Sequence, residues 1–287
     1  MHLLLKSGST RTIFFLIFLF FFTFVILIDR SLLPKCNRGR IESIELYQME
    51  STKELRRMAL QTAGYHRQLL VKRAKQANGT KFYQSVKVEA LCTNKIRIGG
   101  EGDGGKYVCN PSKVNTDCTL VSLGLNNAID YDTQIYEVTG KQCKILGADI
   151  SAQSPATKYA YDKMNGELFV GNIPQTLTIS SMLKKAGRRE IELLKIDIEG
   201  GEFASMEPLI SEHFVCQIFI EIHGHPTRHL EMLQVLSKYG FRVFNVDENP
   251  FCSTCCEYSL INDLCMAQFS VVPLANVIPQ VKDSNTT

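Results

Sequence analysis

The sequence predicts an α/β fold: seven strands in a mostly parallel, doubly wound sheet with a final antiparallel hairpin, preceded by one transmembrane helix and a helical stem. Three observations predict it. From about residue 85, apolar runs of strand length alternate with stretches of helical period, as in a parallel sheet covered on both faces. The run Ile191-Glu-Leu-Leu-Lys-Ile-Asp-Ile-Glu-Gly-Gly-Glu-Phe203 ends an apolar strand on two acids, and a glycine pair and a helix follow at once. Near the N-terminus, Ile13 to Ile28 carries no charge.

The chain has 287 residues, enough for one large domain plus extensions. At 45% hydrophobic and 21% charged it has the composition of a folded protein, and a net charge of +3 gives no reason to expect nucleic acid. As a helix, Ile13–Ile28 spans about 24 Å against a bilayer core of about 30 Å. Asp29-Arg30-Ser31-Leu32-Leu33-Pro34 lacks a small-x-small cleavage site, which favours an uncleaved signal anchor over a signal peptide. The expected organisation is a cytosolic tail at 1–11, an anchor at 12–28, a stem at 29–84 and a folded domain at 85–287. Lys6 and Arg11 precede the span, whereas Arg30, Lys35, Arg38 and Arg40 follow it, so the positive-inside rule alone turns the domain to the cytosol. Ten cysteines and the sequons Asn78-Gly79-Thr80 and Asn285-Thr286-Thr287 point instead to the lumen of the ER or Golgi. Large domains translocate largely regardless of charge. In the stem, Leu55, Met58, Thr62, Tyr65 and Leu69 fall at 3-4-3-4 spacing. They predict an amphipathic helix that lies on the domain or pairs with a copy of itself, which leaves open a homodimer through the stem.

Within the domain, candidate strands are 119–124, 143–149, 167–171, 192–198, 217–222, 241–246 and 265–272. Candidate helices lie near 132–139, 155–164, 178–186, 202–212 and 226–239. Gly140, Gly187 and Gly240 stand where helices should stop. The last two strands have only a Cys-rich loop between them, so they form the hairpin at one sheet edge.

Ligands of open α/β sheets bind beyond the carboxyl ends of the strands, so the residues there are the candidates. Gly124 ends the first strand and allows close backbone approach to a nucleoside. Asn126, which tolerates positive φ, stands where a second glycine is usual. Asp149 ends the second strand, placed to accept both ribose hydroxyls of a nucleoside cofactor. Asn172 follows the third strand and could touch an adenine edge. Asp197 and Glu199 share one face of the fourth strand, and Glu221 and His223 one face of the fifth, beside it. Those acids and the histidine could bind a divalent cation, Mg²⁺ or Mn²⁺ by their carboxylates, or accept a proton from a hydroxyl. Helix capping is the plainer role for the acids. His225 and His229 extend the histidine into His-x-His-x3-His, but read more simply as loop and helix surface. Five glycines between 99 and 105 form an irregular loop: a tight turn, or a lid with Arg97 or Asp103 facing the ligand. Cys252-Ser-Thr-Cys-Cys256 with Cys265 is half a zinc pattern, and in a lumen disulfides that pin the last two strands fit it better. Cys92, Cys109 and Cys118 are further candidates for pairing.

Leu193-Leu-Lys-Ile-Asp-Ile-Glu-Gly-Gly-Glu-Phe203, followed by Ile220-Glu-Ile-His223, resembles the FkbM-like SAM-dependent methyltransferases. The stretches 97–107 and 248–252 look like a membrane-anchored branch of that class. The resemblance covers roughly 85–275. It implies the seven-stranded, Rossmann-like class I fold, S-adenosylmethionine (SAM) as cofactor and O-methylation of a hydroxyl acceptor such as a glycan. It places cofactor contacts at Gly124, Asp149 and Asn172 and the reaction side of the pocket at Asp197, Glu199, Glu221 and His223. The residues themselves add Asn126 to the cofactor loop, single out Asp197, Glu221 and His223 for catalysis, and offer Asp197 and Glu199 to a metal. The second cofactor-loop glycine of that class is Asn126 here. Two other readings remain open: a type II Golgi glycosyltransferase using a metal and a nucleotide sugar, with Asp197-Ile-Glu199 as its metal motif, and a catalytically silent binding module.

Overall fold

The computed structural model describes residues 36–76, 78–101 and 104–280, with side chains from residue 48 onward. The expected anchor at 12–28, Asp103 and Asn285 lie outside the described residues. Among the described residues no helix is long and apolar enough to cross a membrane. The chain divides into two compact units, 1–54 and 55–287. The described part of the first is helical, with Lys53 paired to Glu50 one turn back.

In chain order the elements are α1 (Cys36–Ala74), α2 (Gly79–Tyr83), β1 (Ala90–Leu91), β2 (Lys95–Ile98), β3 (Lys106–Cys109), β4 (Thr119–Leu123), α3 (Asp130–Val138), β5 (Lys144–Asp149), α4 (Pro155–Lys163), β6 (Glu167–Val170), α5 (Ile179–Lys185), β7 (Ile191–Ile196), α6 (Glu202–Glu212), β8 (Val215–His223), α7 (Pro226–Lys238), β9 (Phe241–Glu248), β10 (Cys255–Asn262) and β11 (Val272–Pro273). Seven strands form one sheet in the order β6-β5-β4-β7-β8-β10-β9. Neighbours from β6 to β8 pair parallel, and β10 runs against both β8 and β9. The order reverses between β4 and β7, which opens a crevice at their carboxyl ends.

Each face of this sheet is covered. Val121 and Leu123, Leu194 and Ile196, and Ile218, Ile220 and Ile222 pack with Met182, Met206 and Leu233 from α5, α6 and α7. The alternate residues Leu120, Leu193 and Phe219 pack with Ile98 and Val108 of the β2–β3 hairpin, Ile135 of α3 and Tyr161 of α4. Alternation along the strands thus sends each apolar set to its own layer.

One strand expectation is corrected. The last sheet strand is Cys255–Asn262, not 265–272: it starts inside the Cys-rich stretch, and Cys265 belongs to a short 3-10 turn. Cys256, Tyr258 and Leu260 alternate with Glu257 and Ser259, a strand signal that the cysteine density obscured. The antiparallel β9–β10 pair does lie at one sheet edge as expected, with β10 against β8 and β9 outermost.

The stem helix packs through a different stripe from the one expected. Ala63, Leu70 and Ala74 are buried, Ala63 against Ala275 and Val277 of the C-terminal segment, while Leu55, Met58 and Tyr65 stay exposed. Small residues let α1 approach closely, and Arg67 Nη1 donates to Asn276 O at 2.7 Å. Glu89, almost fully buried, fastens the same segment by accepting from the backbone N–H of Val277 and Ile278 at 2.7 and 2.9 Å. Asn78 of the first sequon is exposed and caps α2, accepting from Lys81 N.

Disulfides join Cys92–Cys109, Cys118–Cys143, Cys216–Cys265 and Cys252–Cys255, and Cys256 is free and buried. Cys265 is therefore bound to β8, not to the Cys-rich stretch before β10.

If the Ala63–Leu70–Ala74 stripe holds α1, Leu70→Ala should cost about 2–5 kcal/mol by urea unfolding. Exposed Leu60→Ala on the same helix should change stability by about 0.5 kcal/mol or less.

Candidate active site

The crevice has two chemically different halves. The first lies at the ends of β4 and β5. Gly124 has φ +79°, and a Cβ on it would sit 1.7 Å from Asp197 O, so the glycine is required by the close pass of the β7 end. Asn126 and Asn127 follow with φ of +45° and +60°, a left-handed turn that asparagine tolerates. The Asp149 carboxylate holds that turn: Oδ2 accepts from Asn126 N at 2.7 Å and Oδ1 from Ser151 N at 2.9 Å. Each oxygen keeps a second lone pair, and the residue is half-buried. Asn172 is exposed after β6, its backbone closed in a turn with Thr176. Ile150 and Val170, beside Asp149 and Asn172 in sequence, leave 67% and 56% of their surface open, an apolar offer the sequence reading did not weigh.

The second half is a row of acids on one sheet face. Glu257 of β10 pairs in register with Glu221 of β8 on one side and Asp247 of β9 on the other. Asp197 follows β7, one residue past the Ile196–Ile220 pair. Two cations from the β2–β3 hairpin neutralise the row. Lys106 is buried, with Nζ 2.6 Å from Glu257 Oε1 and 3.8 Å from Asp197 Oδ2. Arg97 Nη1 reaches Asp247 Oδ2 at 2.6 Å. The glycine-rich segment therefore joins two paired strands, β2 and β3, that clamp the row, and Arg97 faces Asp247.

His223 sits among three further carboxylate contacts. Its Nδ1 is 3.3 Å from Glu202 Oε1, and its Nε2 is 3.4 Å from Glu199 Oε2 and 3.8 Å from Asp197 Oδ1. Chiefly through Glu202, its pKa is raised to about 9. The imidazole is then charged at neutral pH and donates rather than accepts, which argues against His223 as the proton acceptor. Glu202 is fully buried and also accepts from Ile198 N and Gly200 N, so it shapes the turn after β7. Glu199 occupies that turn with φ +52° and an exposed side chain. Glu221 is pushed up to about 7, by burial first and then by the Asp197 charge, and Asn249 Nδ2 donates to its Oε1 at 2.8 Å.

The other histidines do not join the cluster. His225 is exposed at the start of α7. His229 is buried, its Nε2 3.1 Å from the carbonyls of Gly224 and Thr254 and its Nδ1 3.1 Å from Tyr258 Oη. Two carbonyls around Nε2 make it the protonated nitrogen, and burial lowers the pKa to about 4. His229 is a neutral core histidine.

Sequence reasoning missed Lys106, Glu257, Asp247 and Glu202 as parts of the site. A charged residue inside a strand pattern, as at Lys106 and Glu257, was the available signal, because such residues are rarely buried without partners.

A sheet of this order, with its one antiparallel strand next to the edge and an acidic crevice at the switch point, is a Rossmann-like α/β methyltransferase fold. The methyltransferase FkbM domain matches residues 74–243, and the chain belongs to that family. No curated protein matches significantly. Among solved structures, a SAM-dependent methyltransferase from Aquifex aeolicus is 15% identical, with a TM-score of 0.31 over 53% of this chain and 90% of its own. TrmK of M. capricolum, solved with S-adenosyl-homocysteine, is 12% identical, with a TM-score of 0.35 over 53% and 66%. An NADB-Rossmann superfamily protein from Streptococcus agalactiae is 11% identical, with a TM-score of 0.35 over 53% and 65%. The chain thus spans about two thirds of the last two.

His223 gives a pH prediction with a definite sign. Its folded pKa is raised above 6.5, so its stabilisation is complete below about pH 6.5 and is lost as pH rises through about 9. Thermal unfolding should show the advantage of the wild type over His223→Gln shrinking across that window. A difference independent of pH contradicts the charged cage.

Proposed function

We propose that this chain is a SAM-dependent O-methyltransferase of the secretory lumen, acting on a hydroxyl acceptor with glycans as the first candidates. The observation that carries the reading is the division of one crevice into a nucleoside-type half at Asp149 and a proton-handling half at Glu221. When bound, SAM supplies an electrophilic methyl group. Asp149 would hold the ribose through its remaining lone pairs, the Gly124–Asn126 turn would line the methionine side, and Ile150, Val170 and Asn172 would border the adenine. Those groups are half-buried or exposed around a turn already fixed by backbone hydrogen bonds, which fits such a ligand.

A hydroxyl is a weak nucleophile and needs its proton taken as it attacks. Glu221, with a pKa near 7, is ionised in useful measure at neutral pH and is oriented by Asn249. His223, held cationic, would donate to the acceptor oxygen and fix its approach. Asp197 and Glu199, within 4.8 Å of each other and of His223, are the residues that would hold Mg²⁺ or Mn²⁺. The lumenal location rests on four disulfides, which suit an oxidising compartment, and on the exposed Asn78 sequon. The anchor at 12–28, placing it as a type II protein, and a homodimer through the exposed Leu55–Met58–Tyr65 stripe belong to the same proposal.

The test is transfer of labelled methyl from SAM to a panel of oligosaccharides and other hydroxyl compounds. Glu221→Gln should lower kcat by about 100-fold or more and remove an ionisation near pH 7 from its pH profile. A variant with unchanged rate and profile would show that Glu221 is not the proton acceptor.

A further inference from the structure

Among the described residues there are four disulfides, and one of them is poorly placed to act as a staple. Cys92–Cys109, Cys118–Cys143 and Cys216–Cys265 close separations of 17, 25 and 49 residues, whereas Cys252–Cys255 closes only 3. Loop-closure stabilisation falls with loop length, so this bridge contributes least to holding the fold. Its position is more informative. Cys255 pairs in register with His223 across β10 and β8, and Glu221 lies two residues back on the same face. Cys255 Sγ, a ring nitrogen of His223 and a carboxylate oxygen of Glu221 all lie within 4.8 Å of one another.

We infer that reduction of the Cys252–Cys255 disulfide converts Cys255, His223 and Glu221 into a zinc site. Cys252 is partly exposed and Cys255 is buried, so a dithiol reductant meets Cys252 first. One sulfur of the dithiol attacks Cys252 Sγ, forms a mixed disulfide and releases Cys255 as the thiolate. The second sulfur then displaces Cys252, and the reductant leaves as a disulfide. The two electrons and two protons it gives up leave both cysteines as thiols. Binding of zinc displaces the proton of Cys255 and the proton on the ring nitrogen of His223 that turns to the metal.

A thiolate, an imidazole and a carboxylate form a three-ligand zinc set, with a fourth position open to water. Ligands about 2.0–2.3 Å from one zinc ion lie roughly 3.3–3.8 Å apart, so side-chain rotations of about an ångström close the site. The supporting contacts are already made: Asn249 holds Glu221 Oε1, and Glu202 stands beside His223 Nδ1. Asp197 and Glu199 offer the same histidine only oxygen partners. Redox state therefore selects between a hard, oxygen-rich set and a softer one containing sulfur. On the O-methyltransferase reading, and resting on it, zinc bound here would occupy Glu221 and His223 and silence the enzyme.

The test is calorimetric titration of zinc chloride into the full chain, without cofactor or acceptor, so its outcome is separate from methyl transfer. Cys252→Ser without reductant, and wild type under a dithiol that leaves the other three disulfides intact by mass spectrometry, should each bind one zinc per chain. Both should bind at least tenfold more tightly than oxidised wild type or dithiol-treated Cys255→Ser. Adding His223→Gln to Cys252→Ser should cost tenfold or more. If Cys252→Ser does not fold, the comparison of reduced wild type with reduced Cys255→Ser decides. Equal affinities in that pair, or no loss with His223→Gln, overturn the assignment.

Discussion

Everything at the crevice depends on burying like charges together. Asp197, Glu221, Glu257 and Asp247 meet on one sheet face, and carboxylates so placed repel and lose hydration at the same time. Lys106 makes the arrangement tenable. It is 1% exposed and lies between Glu257 and Asp197, with Arg97 at the far end of the row on Asp247. Both cations are carried by the β2–β3 hairpin, which the Cys92–Cys109 bridge ties down. The glycine-rich turn, which looks like a ligand loop in the sequence, thus belongs to a clamp on the site's charge. Burial first, and then the Asp197 charge, lifts the pKa of Glu221 at the row's middle to about 7, where it can exchange a proton near neutrality.

The Asp149 half is built on the opposite principle. There the charge is single, half-buried and held by backbone N–H groups at the Asn126 and Ser151 positions. That carboxylate is fixed in place by the two N–H groups, whereas the Glu221 half holds groups whose protonation can change. The two sides meet where Gly124 passes the Asp197 carbonyl. A side chain there would separate β4 from the end of β7 and break the continuity between recognition and chemistry.

The parallel part of the sheet was legible because strands covered on both faces are apolar runs bounded by glycine. Helix α6 is found at its expected limits of 202–212, and α7 within one residue of 226–239. Asp197, Glu199, Glu221 and His223 were legible as a group because they fall at neighbouring strand ends. Alternation holds for Glu221 and His223 on β8, whereas Asp197 and Glu199 lie past β7 and the turn there, with Glu199 at φ +52°, brings them to His223. Their protonation was not legible. His223 looks like a base until Glu202, three residues beyond Glu199 and facing inward from α6, is seen beside it. The hairpin cations escaped for a similar reason: Lys106 and Glu257 are 151 residues apart, and only the fold makes them partners. On α1, periodicity identified a helix, but bulk misidentified its face, because alanines packed where leucine and tyrosine were expected.

If one crevice holds a cofactor half and a reaction half, the two can be disabled separately. Calorimetric titration with SAM of the wild type, Asp149→Asn and Glu221→Gln tests it most directly. The wild type should bind, Asp149→Asn should lose at least tenfold in affinity, and Glu221→Gln should stay within about threefold of wild type. Absence of binding by folded wild type, or equal effects of the two substitutions, would contradict it.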